Sequence, residues 1–155
     1  MRILTLLFCL VLVQSCKNDD DIICHGDPIP LNIMFINLTD SNGNNLIENG
    51  TFIKDDIKTS FNGFYNTSPF FENEPGLQNL IAITVVGNPG DNTYEIELSN
   101  SITDTLILNL TEEIFGEAPC ISSRFNVNTA NYNGFDENFE LVDDWGYRLT
   151  IVKDL

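Results

Sequence analysis

Few side chains in this 155-residue chain are of types that do chemistry, and their spacing settles most of what they could do. The lone histidine, His25, adjoins Cys24 and is followed by Gly26, Pro28 and Pro30. A nucleophilic site needs its imidazole held rigidly against a Ser or Cys, which such a connector does not provide. Zinc is served no better, because there is no second histidine and no paired-cysteine spacing. Carboxylates are abundant, with pairs at Asp55 and Asp56, Glu72 and Glu74, Glu112 and Glu113, and Asp143 and Asp144. Two carboxylates across a cleft can hydrolyse a glycoside, but 23 acids in one chain produce such pairs by chance. The expectation is a protein that is not an enzyme, with no catalytic residue, no metal and no cofactor.

Two stretches have the makings of a binding site. Asp40, Asn42 and Asn44 have the one-three-five spacing of a calcium loop, yet Asn45 stands where that loop needs glycine and Thr51 where it needs glutamate. A tight turn accounts for Asn42-Gly43 more simply. From Asn131 to Tyr147 the chain mixes Tyr132, Phe135, Phe139, Trp145 and Tyr147 with Asp136, Glu137, Glu140, Asp143 and Asp144. Aromatic faces beside carboxylates can hold sugars by stacking and by accepting hydroxyl hydrogen bonds. The plainer expectation is that these aromatics anchor the last strand to the core.

The amino terminus determines where such groups would be displayed. Arg2 precedes an eleven-residue run, Ile3 to Val13, that is apolar except for Thr5, which fits a signal-peptide core. It is too short to span a bilayer, which takes about 20 residues. The junction Val13-Gln14-Ser15-Cys16 resembles the lipobox of bacterial lipoproteins. That resemblance implies cleavage after residue 15 and acylation of Cys16, so that the lipid bilayer is a partner through this residue. Two or more acyl chains hold firmly where one holds marginally.

Lys17-Asn18-Asp19-Asp20-Asp21 resembles the export signals of Bacteroidota surface lipoproteins. The whole chain is similar to the small outer-membrane or surface lipoproteins of that group, and this implies a lipid-anchored outer-membrane location facing outward, with a periplasm-facing anchor as the alternative. Asp104-Thr105-Leu106 resembles the site at which these bacteria glycosylate exported proteins. With Cys9 removed by cleavage and Cys16 acylated, Cys24 and Cys120 remain as the expected disulfide pair in an oxidising compartment. A catalytic thiol or two free buried cysteines are the competing readings.

Loss of residues 1–15 removes Arg2 and no acid, shifting the formal charge from -16 to -17. Nucleic-acid binding needs a basic patch. The basic residues left, at 17, 54, 58, 124, 148 and 153, are scattered, and no nucleic-acid partner is expected.

Residues 16–30 read as the lipidated cysteine and its tether, and 31–155 as one domain. Short apolar runs separated by polar turns predict about eight strands: Leu31 to Leu38, Thr51 to Ile57, Gly63 to Phe71, Leu80 to Val86, Thr93 to Leu98, Thr105 to Leu110, Arg124 to Thr129 and Tyr147 to Val152. Glu112 to Gly116 reads as a helical turn capped by Thr111. The predicted fold is all-β, an antiparallel sandwich of immunoglobulin-like or transthyretin-like kind, with a small closed barrel as the alternative. The expected function is a non-catalytic binding or structural module of the envelope, with a protein or glycan as ligand. The alternative is a carbohydrate-capturing lipoprotein beside an outer-membrane transporter.

Overall fold

Alternation of apolar and polar residues forms the longest strands. The computed structural model describes residues 31–67, 69–117, 119–142 and 146–154. The leader, Cys16, the tether, Cys24 and His25 lie outside the described residues, as do Asp143, Asp144 and Trp145. Among the described residues there are ten strands: β1 (Ile33–Thr39), β2 (Lys58–Phe61), β3 (Phe64–Asn66), β4 (Ile81–Thr84), β5 (Gly90–Ser99), β6 (Ile102–Phe115), β7 (Ser122–Tyr132), β8 (Phe135–Glu137), β9 (Phe139–Val142) and β10 (Gly146–Val152). In β5, Tyr94, Ile96 and Leu98 point inward while Glu95 and Glu97 face out, and in β6 Leu106, Leu108 and Leu110 are buried. This period of two is what a half-wetted sheet requires.

The strands form a six-stranded sheet, ordered β3-β2-β5-β6-β7-β8, and a four-stranded sheet, ordered β4-β1-β10-β9. Their inner faces share one apolar core, including Met34, Ile36, Leu38 and Leu149 from the smaller sheet and Tyr94, Ile96, Leu106 and Leu108 from the larger. The architecture is therefore the expected all-β sandwich, with ten strands rather than about eight. One pairing departs from the antiparallel expectation, since β1 and β10 run parallel over Ile33 to Thr39. Parallel strands bury both faces more readily, and β1 does so. Its outward-facing Phe35 packs with Leu80 and Ala82 under Phe71 and Leu77, which cover the outside of the smaller sheet.

Three local expectations are corrected. Thr51 to Ile57 is not a strand: Phe52 and Ile57 are buried anchors on either side of a 3₁₀ turn over Lys54–Asp56. Glu112 to Gly116 is not helical, because β6 continues to Phe115, with Glu112 opposite Phe125 and Glu113 opposite Arg124. There, cross-strand pairing with β7 outweighs the weak local helix signal. Gly63 to Phe71 supplies only the short β3.

Two edges of the sandwich differ. At one edge Asn138 alone separates β8, in the larger sheet, from β9, in the smaller, so a nearly continuous strand closes the sandwich. At the other edge β3 and β4 end their sheets without such a link, and the sandwich stays open between them.

Candidate functional site: an aromatic cleft at the open edge

The cleft begins with a two-residue turn. Asn62 and Gly63 have φ of 50° and 80°, the left-handed pair that a tight hairpin between twisted strands demands. This turn places Phe64 opposite Phe61, Tyr65 opposite Ser60 and Asn66 opposite Thr59. Directly opposed residues share a face, so Phe64 lies on the inner side with Phe61, whose ring stacks on Tyr94 at 4.9 Å. The larger sheet has two more strands than the smaller. Phe64 accordingly projects past the last strand facing it and is 82% exposed, and Tyr65 is 60% exposed.

Between this hairpin and β4 lies a cleft of about 280 Å³, lined by Phe61, Phe64, Tyr65, Ile83, Val86 and Tyr94. Ser60, Asn66 and Thr84 add hydroxyl and amide groups to an otherwise apolar lining. An apolar concavity with a few polar groups is the usual form of a ligand site, and this one falls just below the common size of about 300 Å³. Tyr94 is the fixed element of its floor: its hydroxyl donates to the Val86 carbonyl at 2.5 Å and accepts from the Val86 N–H at 3.3 Å. Burial raises its pKa to about 12, keeping the phenol neutral at physiological pH.

A second hollow, wider and polar, is lined by Asn37, Asn45, Glu48, Gln78, Asn79 and Arg148. Arg148 Nη1 reaches Glu140 at 3.4 Å, while its buried Nε has no hydrogen-bond partner.

Residues singled out in the sequence are dispersed. Asp40 is used by its own loop, where its carboxylate accepts from the backbone N–H of Asn42 at 2.9 Å and of Asn44 at 2.8 Å, and from Asn44 Nδ2 at 2.8 Å. These bonds, the Asn44 side chain first, hold its carboxyl below the usual carboxylate range. Asp55 and Asp56 are exposed, Glu72 pairs with Lys54 at 3.3 Å, and Glu113 pairs with Arg124 at 2.9 Å. Glu113 is also held in its charged form, by Asn126 first and then by Arg124. Among the described residues no three His, Cys, Asp or Glu side chains are grouped as metal ligands.

Of the carboxy-terminal aromatics, Tyr132, Phe139 and Tyr147 anchor the core. Tyr132 and Tyr147 are buried, and Phe139 meets Tyr147 edge-on at 5.4 Å. Phe135 alone among the described ones is widely exposed. Cys120 lies in the connection between β6 and β7, and Cys24, its expected partner, is outside the described residues. In Asp104-Thr105-Leu106, Asp104 and Leu106 are buried and Thr105 faces the sheet surface, half-buried.

Sequence reasoning missed the cleft, and also the polar cluster around Asp104. The aromatic-Asn-Gly-Phe segments Phe61-Asn62-Gly63-Phe64 and Tyr132-Asn133-Gly134-Phe135 could have revealed both hairpins, since Asn-Gly between apolar runs is a strong hairpin signal. No known protein family, curated protein or solved structure matches this chain.

Proposed function

We propose that this chain is a non-catalytic binding module of the cell envelope, lipid-anchored through Cys16 and displayed on the outer membrane, whose ligand seats in the cleft between β3 and β4. The observation that carries the binding role is the exposure of Phe64 and Tyr65 beside that cleft. Exposed aromatic rings gain from being covered, and the tight Asn62-Gly63 turn presents these two beside the cleft. The anchor rests on the lipobox-like Val13 to Cys16 and the acidic tether. The same reading pairs Cys24 with Cys120.

The test is photo-cross-linking on living cells, with a photoreactive phenylalanine analogue placed at Tyr65 and, separately, at exposed Ile114 on β6. A defined adduct from position 65 and none from 114 is the expected result. Equal adducts from both, or none from 65, would reject the cleft. Carbohydrate capture is the second reading, favoured by the mix of aromatic rings with Ser60, Asn66 and Thr84 around the cleft. It predicts that a soluble glycan raises the melting temperature of the wild type but not of Phe64→Ala.

A further inference from the structure

At the end of the sandwich where β10 finishes, three side chains converge on Asp104. Tyr132 Oη donates to Oδ2 at 2.7 Å, Lys153 Nζ to the same oxygen at 2.6 Å, and Asn133 Nδ2 to Oδ1 at 2.8 Å. The Asp104 and Lys153 side chains are only 6% and 14% exposed. Asn133 is held from its other side as well, since its Oδ1 accepts the Thr105 backbone N–H at 2.8 Å. A primary amine and a carboxamide thus occupy opposite oxygens of one buried carboxylate, and the carboxamide oxygen already faces a backbone donor. Amine, base, acyl carbon and oxyanion donor are the parts that an acyl transfer requires.

We propose that Lys153 and Asn133 join in an intramolecular amide cross-link, with Asp104 carrying the protons. The Lys153 ammonium passes a proton along its short hydrogen bond to the Asp104 carboxylate. The freed amine adds to Cγ of Asn133, and the Thr105 N–H steadies the developing negative oxygen. Asp104 returns this proton to Nδ2, then takes the second proton from Nζ as the Cγ–Nδ2 bond breaks and passes it to the departing ammonia, which leaves as ammonium while the neutral Nζ–Cγ amide forms and Asp104 is left as the carboxylate. No oxidant, reductant or co-reactant is needed. Burial opposes the charge on Asp104, but the hydrogen bonds from Lys153, Asn133 and Tyr132 outweigh it and hold the carboxyl below its usual range, so the carboxylate is the resting form, and one turnover per molecule needs only a minor fraction with the proton moved to it. Asn133 sits at the solvent rim, which gives ammonia an exit. The bond would fasten the end of the carboxy-terminal strand, in the smaller sheet, to the β7–β8 turn of the larger.

The purified full chain, digested with trypsin, decides the matter. Cleavage after Arg124, Arg148 and Lys153 would release residues 125–148 and 149–153 separately from an unlinked protein. The expected result is the loss of free 149–153 and a joined species of 125–148 with the chain from Leu149, lighter than the sum of its two parts by about 17 Da of ammonia. Lys153→Arg keeps the ion pair but cannot form the link, and it should release both peptides. Free 149–153 in full yield from the wild type, or an Asn133 converted to aspartate in an unlinked chain, would overturn the proposal.

Discussion

Tyr132 shows how a single buried polar group is retained. Its hydroxyl donates to the Asp104 carboxylate, and burial followed by that bond raises its pKa above the ordinary tyrosine value. Tyr132→Phe leaves the ring and removes one bond to a charged group, so urea unfolding should show a loss of about 1.5–3 kcal/mol. Asp40 gives the opposite case, a group on the surface. Its pKa is lowered on folding from the ordinary 3.8, so its contribution is fully present above that value and lost as pH falls through the lower folded one. Amide exchange at Asn44 should quicken on acidification below about pH 4, and Asp40→Ala should show quick exchange already at neutral pH. Phe64→Ala separates function from folding: with its ring mostly in water the unfolding midpoint should barely move, within about 0.5 kcal/mol, while cleft binding is lost.

At the scale of elements, the tight hairpins are the sensitive points. Gly63 and Gly134 have φ of 80° and 89°, and a Cβ at either meets no atom within 4 Å. Gly→Ala at each should therefore cost only the backbone penalty, about 1–2 kcal/mol, measured as a shift in the urea midpoint. Gly63→Ala should also weaken ligand binding, because its turn aims Phe64 and Tyr65. The long alternating runs of β5 and β6 were legible because each residue's face is set by its neighbours along the chain. Strands β2, β8 and β9 were not, since each has three or four residues and lies beside or at a sheet edge. A strand that short carries too little alternation to be seen and is held by pairing with its neighbour. The carboxy-terminal half of β6 was misread for a related reason: its Thr and Glu residues suit a helix locally, and only β7 across from them makes them a strand.

At the scale of the whole molecule, the core and the proposed anchor answer separate questions. Leu108→Ala, at a fully buried position shared by both sheets, should cost about 2–5 kcal/mol in urea unfolding. Cys16→Ala should leave that unfolding unchanged and move the protein from the membrane to the soluble fraction, read by fractionation. Protease on intact cells should remove the wild type.

The sequence by itself determined the class of fold, because period-two alternation is a local property, and it raised the expectations of address and anchor, because a leader is read as a linear string. It also identified the Asp40 loop as a turn, for Asp40, Asn42 and Asn44 satisfy one another within five residues. Only the tertiary structure decided the rest. The parallel pairing of β1 with β10 joins residues 113 positions apart, and Asp104 meets Asn133 and Lys153 from 29 and 49 positions away; no local periodicity records which distant strand becomes a neighbour, or that an edge stays open beside β4. The cleft exists because two sheets of unequal width share one core, a property that no single strand carries.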